Sequence, residues 1–195
     1  MKTQLSAAVA AAVIALTGIA GTAGANEYEP QIRAAFESQI KPWLSDPAVV
    51  EAIKQQNQKT AGLSDADIDG LDQEWRTQAK AGSGPLLDEV MSTSLSSYLK
   101  QKKGQIGAVV TEMFVMDAKG LNVGQSDVTS DYMQGDEAKW QKTYKAGPDA
   151  VFVDEVEFDD STESFQSQIS ATVIDPATGE PIGAITIGIN VEELS

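Results

Sequence analysis

The chain has 195 residues, a formal net charge of −15 at pH 7, and neither histidine nor cysteine. This length suits one domain with one hydrophobic core, and the negative charge argues against a nucleic-acid or anionic-lipid partner. The missing histidine and cysteine exclude a Ser-His-Asp triad, a Cys-His pair, an ordinary zinc site and stabilisation by disulfides.

Residues 1–25 have the pattern of a secretory signal peptide. Lys2 supplies a positive start, residues 5–20 form an apolar run rich in alanine, and AGA at residues 23–25 is a small-x-small cleavage pattern. An uncleaved membrane anchor is the alternative, but the apolar run is short for a bilayer span. We therefore expect a soluble periplasmic or secreted protein that is cleaved near Ala25 and is not membrane-inserted.

Apolar residues recur at helical spacing through residues 26–103, and we expect this helical segment to pack on the sheet predicted below. A stripe at residues 32–44 indicates the first helix, which Pro42 should kink or end. Asp46, followed by a proline, predicts the N-cap of a second helix that reaches about residue 59.

Residues 64–75, SDADIDGLDQEW, begin like the calcium-binding loop of an EF-hand. That loop needs a bidentate glutamate at its twelfth position, where this chain has Arg76. The same letters make a good helix start, with Ser64 as N-cap and Asp67 as its capping-box partner. The apolar residues that follow share one helix face: Ile68, Leu71, Trp75 and Ala79. The sequence therefore predicts a capped helix and no metal site.

After a glycine-rich turn at residues 82–84, Pro85 opens a further helix that we expect to end before Gly104. Its last turn carries basic residues that compensate the helix dipole: Lys100, Lys102 and Lys103.

Strand patterns begin after Gly104 and predict an α+β fold, with N-terminal helices followed by an antiparallel sheet of about five strands. The predicted elements are a hairpin of residues 108–116 and 121–123, a short helix at 136–146, and strands at 150–158, 164–174 and 183–191.

Four segments in this half carry a resemblance to a known family. They are VMDAKGLNVGQSD (115–127), DEAKWQKTY (136–144), the pair FVDEVEF and FQSQISATVID (152–158 and 165–175), and PATGEPIGAITIGINVEEL (176–194). In this order they resemble the extracytoplasmic Cache, or PDC, sensor domains, whose fold is PAS-like. In that family the first strand ends in D-x-x-G, a helix with a tryptophan lies over the sheet, and the last strand contains G-x-x-I/V-G-V-x-I/V.

Asp117, Gly120, Trp140 and residues 183–189 occupy those places. The resemblance implies a single Cache/PDC-like sensor domain at residues 104–195. Many amino-acid-binding members have an arginine shortly before the helix tryptophan and an aspartate near the end of the last strand. This chain has Lys139 and Asn190 there, so we do not expect an amino acid to be held in the usual way.

The resemblance implies a pocket between one sheet face and the covering segment, residues 126–144. Asp131 and Tyr132 would bind an amine or a hydroxyl, and Trp140 and Tyr144 would form an aromatic wall. Each also has a simpler interpretation: Trp140 as a core anchor of its helix, and Asp131 as a cap or a solvated acid.

Gln168 and Asn190 complete the predicted ligand-binding residues, although the strand face that carries Gln168 is either pocket lining or solvent surface. A run of acids is interpreted as a solvated edge or turn rather than a cation site, because alternate strand residues face opposite sides: Asp154, Glu155, Glu157, Asp159 and Asp160.

The leading hypothesis is an exported, stand-alone small-molecule sensor that signals through a separate membrane partner, since no transducing segment follows Ser195. The alternative is a structural or regulatory interaction module without a ligand pocket, whose N-terminal helices dock a partner or a second copy. A hydrolase or isomerase that uses carboxylates is a third possibility without a sequence signature. We expect no catalytic residue and no cofactor.

Overall fold

The structure is a computed structural model that describes residues 26–159 and 164–194. The predicted signal peptide and Asp160 of the acidic run lie outside the described residues. In the part of the chain that is described, no helix has the length and apolar character needed to cross a membrane.

The helices precede the sheet, apart from one short helix between strands. They are α1 (Glu29–Ala35), α2 (Pro47–Thr60), α3 (Asp65–Ala81), α4 (Pro85–Met91), α5 (Ser94–Ile106) and α6 (Ala138–Gln141). The strands are β1 (Val110–Met116), β2 (Asn122–Gln125), β3 (Val151–Val153), β4 (Glu157–Asp159), β5 (Ser164–Ile174) and β6 (Pro181–Asn190).

The strands form one antiparallel sheet in the order β2-β1-β6-β5-β3, and β4 also pairs with β5. The predicted α+β class, with N-terminal helices followed by an antiparallel sheet, is confirmed. One predicted strand, residues 150–158, is wrong because the chain forms two short strands there. Between them the Asp154 carboxylate accepts the Glu155 N–H at 2.9 Å, a local bond that competes with the ladder.

The predicted helix starts are confirmed by their caps. The Asp46 carboxylate accepts the Ala48 N–H at 2.9 Å, and Ser64 and Asp67 form both bonds of a capping box at the start of α3. The first helix loses α geometry before Pro42, because α1 passes into a π-helical turn (Phe36–Ile40) and a 3₁₀ turn (Lys41–Trp43).

Two predicted helices have different bounds. The helix from Pro85 is two helices, because the Thr93 hydroxyl accepts the Ser96 N–H and donates to the Val90 carbonyl, which starts α5 anew. Helix α5 then passes through Gly104 and ends before Gly107, whose φ is +91°.

The helix predicted at residues 136–146 is only the four-residue α6. The Thr143 hydroxyl donates to the Lys139 carbonyl, and the chain continues from there in turns. A buried threonine that bonds back to its own turn favours such an end over further helix.

The main core lies between one face of the sheet and helices α1, α2 and α5. Alternate residues of β1, β5 and β6 point into it because side chains alternate along a strand: Met113, Val115, Ile169, Ala171, Val173, Ile185, Ile187 and Ile189. A second cluster joins α3 and α4 to residues on either side of β2, and it contains Ile68, Trp75, Leu87, Val90, Leu121 and Tyr132.

Candidate ligand-binding site

The face of the sheet opposite the main core is apolar at one end and polar at the other. At the polar end Glu112 of β1 and Gln168 of β5 both lie beside Gly188 of the central strand. Because Gly188 has no side chain, Gln168 Nε2 reaches across it and donates to Glu112 Oε1 at 3.0 Å. This end of the sheet therefore presents hydrogen-bonding groups.

The apolar end of this face is covered by α6. Trp140 is buried against Phe114, Met116 and Ala184, and its indole N–H donates to the Asp117 carbonyl at 3.1 Å. Tyr144 stacks on Trp140 with ring centroids 5.2 Å apart. These contacts fill the space under α6 with side chains.

A cavity of about 610 Å³ lies over the polar end, between the sheet and the covering segment. It occupies the place where the sequence predicts a pocket. Three regions line it: sheet residues Glu112, Phe114, Gln166 and Gln168; covering-segment residues Val128, Thr129, Ser130, Asp131, Gln134, Glu137 and Lys139; and α3 residues Arg76, Ala79 and Lys80.

The charged groups of the cavity include two opposite pairs. Arg76 Nη2 lies 3.1 Å from Asp131 Oδ2, and Lys139 Nζ lies 2.9 Å from Glu137 Oε2. Lys139 also lies over the Phe114 ring, 5.3 Å from its centroid. The cavity therefore offers both donors and acceptors to a ligand, and its walls have no strong excess of one charge.

Helix α3 forms the wall that carries Arg76, and Asp72 attaches it to the covering segment. Asp72 Oδ1 accepts the backbone N–H groups of Tyr132 and Met133 at 2.9 and 3.0 Å, and its Oδ2 accepts Arg76 Nε at 2.6 Å. Burial opposes ionisation of Asp72, but the hydrogen bonds from Met133, Arg76 and Tyr132 outweigh it and hold the pKa of Asp72 below its usual value.

Two of the predicted ligand-binding residues, Asp131 and Gln168, line the cavity. Tyr132 instead stacks on Trp75 in the second cluster, where burial raises its pKa to about 12. Trp140 and Tyr144 pack under α6, and Asn190 accepts the Glu192 N–H at 3.0 Å in a turn after β6. A ligand contact from these four residues stays a prediction.

Sequence reasoning missed Arg76, Glu112 and Lys139 as wall residues. From the sequence, Arg76 is only a residue that does not suit a calcium loop, and Lys139 is only a residue that departs from the family pattern. The spacing of Asp72 and Arg76, four residues apart on one helix face, was the available signal for an ordered arginine. Nothing in the sequence indicates that this arginine meets a residue 55 positions later.

The acidic run borders a smaller cavity of about 200 Å³, which shares Glu137, Lys139, Gln166 and Gln168 with the main one. Its described members there are Asp154, Glu155 and Glu157. Among residues 26–159 and 164–194, no group of three or more acids is placed to hold a metal ion.

The comparisons with known proteins give structural neighbours only. No protein-family model matches the chain, and no curated protein matches it by sequence. The sensor domain of the V. cholerae histidine kinase DctB aligns with a TM-score of 0.45 and 15% identity, over 85% of this chain and 55% of that structure.

Two chemoreceptor domains align in a similar way. The sensory domain of Campylobacter jejuni Tlp3 aligns with a TM-score of 0.41 and 13% identity, over 85% of this chain and 64% of that one. The ligand-binding domain of the Pseudomonas aeruginosa amino acid chemoreceptor PctC, in complex with GABA, aligns with a TM-score of 0.43 and 17% identity, over 74% and 59%. The chain thus spans between 55% and 64% of the length of these structures. The first two structures are sensor or sensory domains, and the third is a ligand-binding domain.

Proposed function

We propose that the protein is a small-molecule-binding sensor domain whose ligand occupies the cavity over the polar end of the sheet. The observation that carries the proposal is the cavity itself. Its volume of about 610 Å³ falls within the ~300–1,000 Å³ of typical ligand pockets. A cavity of about 600 Å³ also lies beside Tyr28 and Val191, so the proposal is supported by the position of the main cavity between the sheet and the covering segment as well as by its volume.

The ligand should be small and polar. Phe114 and Val128 are the large apolar side chains of the lining, whereas amides, hydroxyls and charged groups supply most of the rest. Gln168 is held in place by its bond to Glu112, so its remaining amide atoms are oriented before a ligand enters. We propose Gln168 as a ligand contact because such preorganisation lowers the entropic cost of binding.

The unit that binds the ligand includes more than residues 104–195. Arg76, Ala79 and Lys80 belong to the helical segment 26–103 and form one wall. We therefore propose that the two predicted segments function as one sensor, with α3 as part of the site.

A thermal-shift screen tests the proposed function. The purified protein would be measured against amino acids, amines, small organic acids, nucleobases and sugars. A ligand at a hundred times its Kd adds about 2.7 kcal/mol of stability, which raises the midpoint by several degrees in a protein of this size.

Ser130→Trp supplies the matched variant, because Ser130 is exposed at the cavity wall and an indole there would occupy the space. Ser83→Trp is the control, since Ser83 is exposed in the turn before α4 and does not line the cavity. We expect a shift that Ser83→Trp keeps and Ser130→Trp loses. No shift with any compound would favour the interaction module, and a shift that survives in both variants would place the ligand elsewhere.

Export of the protein is a further part of the proposal and is supported by the leader pattern of residues 1–25. N-terminal sequencing of protein from the periplasm or medium should begin at Asn26. The Asn26 side chain donates to the Asp154 carbonyl at 2.7 Å and to Ser167 Oγ at 3.0 Å, so a chain that begins there keeps an ordered first residue. Recovery of an uncleaved chain in the membrane fraction would favour the anchor.

Signalling through a separate membrane partner is proposed on the sequence resemblance alone. Crosslinking in cells should give an adduct with a membrane protein whose yield changes when ligand is added. An adduct of constant yield would favour the interaction module, and a crosslink between two copies through α1 or α2 would support the predicted homodimer.

A further inference from the structure

Arg76 at the cavity wall has N–H groups that donate to no described residue. Its Nε donates to Asp72 at 2.6 Å and its Nη2 to Asp131 at 3.1 Å, while the side chain remains 48% exposed. A guanidinium carries five N–H donors, and Nη1 has no hydrogen-bond partner within residues 26–159 and 164–194. The hydrogen bond to Asp72 also raises the pKa of Arg76 and fixes the direction of the fork.

A second cation lies on the same wall, one helical turn from Arg76. Lys80 is exposed, lines the cavity and makes no ion pair with the other described residues. The α3 wall is therefore the positively charged side of the cavity. A planar carboxylate takes two parallel hydrogen bonds from a guanidinium. With Nε bound to Asp72, the edge left for such a ligand is Nη1 with Nη2, and Nη2 now donates to Asp131.

The Asp131 carboxylate binds Arg76 where a ligand carboxylate would bind. Its side chain is only 15% exposed, and it accepts Gln134 Nε2 at 2.6 Å and Ser130 Oγ at 3.0 Å besides Arg76. A ligand carboxylate on the Arg76 fork would bring a second negative charge next to Asp131. Two like charges repel, and both carboxylates use the Nη2 donor of Arg76, so the ligand and Asp131 compete for the guanidinium.

The covering segment stays attached to α3 when this pair opens. Asp72 binds the N–H groups of Tyr132 and Met133, and the Trp75 indole N–H donates to the Thr129 carbonyl at 2.9 Å. None of these bonds uses the Arg76–Asp131 pair. Opening of the pair therefore releases the Asp131 carboxylate from α3, while the Asp131 carbonyl keeps the hydrogen bonds that Asn122, Thr129 and Gln134 donate to it.

We propose that Arg76 is the anion-binding group of the cavity and that an anionic ligand, a small carboxylate, binds it by displacing Asp131. Asp131 then acts as a latch of the ligand-free state rather than as a ligand contact. This inference rests on the proposed function, because it assigns a ligand class and a switch to the same cavity.

Calorimetric titration of the purified protein with acetate, succinate and inorganic phosphate, at constant ionic strength, tests the inference. Arg76→Gln should weaken binding of the anion by about tenfold or more, a factor that corresponds to about 1.4 kcal/mol. Arg33→Gln is the matched control, since Arg33 pairs with Glu29 four residues away and its side chain is 42% exposed, yet it lies outside the cavity. Arg76→Lys keeps the positive charge but loses the two-pronged geometry of the guanidinium, so it should give a smaller loss of affinity. It replaces Arg76→Gln in the test if that variant does not fold.

Asp131→Asn distinguishes a latch from a ligand contact. If Asp131 competes with the ligand, Asp131→Asn should tighten anion binding severalfold. Weaker binding in Asp131→Asn, or equal affinities in Arg76→Gln and Arg33→Gln, would overturn the latch and leave the proposed function intact. Binding of neutral or cationic compounds but of no anion would do the same, whereas no binding of any compound would overturn both.

Discussion

Trp75 of α3 and Tyr132 of the covering segment stack with their ring centroids 5.5 Å apart and their planes inclined by 27°. The stack joins the helix that carries Arg76 to the segment that carries Asp131. Both rings are buried, and the Tyr132 hydroxyl accepts a hydrogen bond from Gln56 of α2 at 3.0 Å. The walls of the cavity are therefore parts of one packed unit, which connects the site to a helix of the main core.

Removal of the Trp75 ring should destabilise the protein strongly. Trp75 is fully buried, so Trp75→Ala loses the stack and leaves a cavity, at a cost of about 3–5 kcal/mol in the free energy of unfolding. Trp75→Phe keeps most of the ring but leaves the Thr129 carbonyl without its donor, which costs about 1–3 kcal/mol. Urea denaturation measures both. A loss below about 1 kcal/mol for Trp75→Ala would contradict the packing described for α3.

Two glycine-to-alanine changes should have opposite effects. Gly70 lies exposed within α3 and a Cβ there meets no atom within 4 Å, so Gly70→Ala should stabilise the protein by about 0.5–1 kcal/mol. At Gly183 a Cβ would lie 2.2 Å from the Met116 carbonyl oxygen, and Gly183→Ala should destabilise by about 1–3 kcal/mol. Thermal unfolding of the two variants side by side tests the pair. Equal shifts of one sign would contradict the close approach of β1 and β6.

Asp117 should make stability fall as pH rises. It is fully buried, and burial raises its pKa although Leu121, Thr60 and Lys119 donate hydrogen bonds to it. Above the ordinary aspartate pKa the unfolded chain releases this proton while the folded chain keeps it. The contribution of Asp117 is therefore present at low pH and is lost as pH rises from the ordinary pKa to the raised one.

Asp117→Asn isolates this effect. The amide oxygen can accept the Lys119 and Leu121 N–H groups, and its NH₂ can donate to Thr60, whose hydroxyl also bonds to the Gln56 carbonyl at 3.0 Å. The variant should gain stability relative to wild type as pH rises above the ordinary aspartate pKa, by at most ~1.4 kcal/mol per pH unit. A difference that shrinks with rising pH would show that the donors outweigh burial.

The break between α4 and α5 should depend on one hydroxyl. Thr93→Ala removes the N-cap of α5 and should cost about 1 kcal/mol in the free energy of unfolding. Ser92→Ala is the matched control, because the exposed Ser92 hydroxyl bonds only to the Glu89 carbonyl among described residues, and its loss should stay within about 0.5 kcal/mol. Denaturant titration of both variants measures the difference, and equal losses would contradict the cap.

The features that sequence predicts well here are local. The caps at Asp46 and at Ser64 with Asp67 need only residues within one turn, and the alternation of β5 and β6 needs only two-residue periodicity. The same alternation assigns Gln168 to one strand face, and in the structure Gln168 lines the cavity. Local chemistry therefore predicts the fold class, but it leaves open whether the strand face that carries Gln168 lines a pocket or faces solvent.

The wrong boundaries come from side chains that bond to nearby backbone. Thr93, Thr143 and Asp154 each interrupt an element whose apolar pattern continues past them. Such bonds are short-range but optional, because the same residue types also occur inside helices and strands.

The α3 wall could not be predicted for a different reason. Its position depends on the burial of Trp75 against Tyr132 and on Asp72 meeting backbone 60 residues later. The sequence predicts Tyr132 and Trp140 as ligand contacts because aromatic rings are common in binding sites. In the structure both rings are packed in hydrophobic clusters. Only the three-dimensional arrangement distinguishes these two uses of a large side chain.

The most direct test of the ligand cavity is a chemical-shift map of the isotopically labelled protein with the compound that gives the largest thermal shift. We expect the shifted amides to cluster around Glu112, Gln168, Arg76 and residues 128–137. Shifts concentrated on the outer surfaces of α2 and α5, with the cavity residues unchanged, would contradict the site and favour a protein that acts through its helical surface.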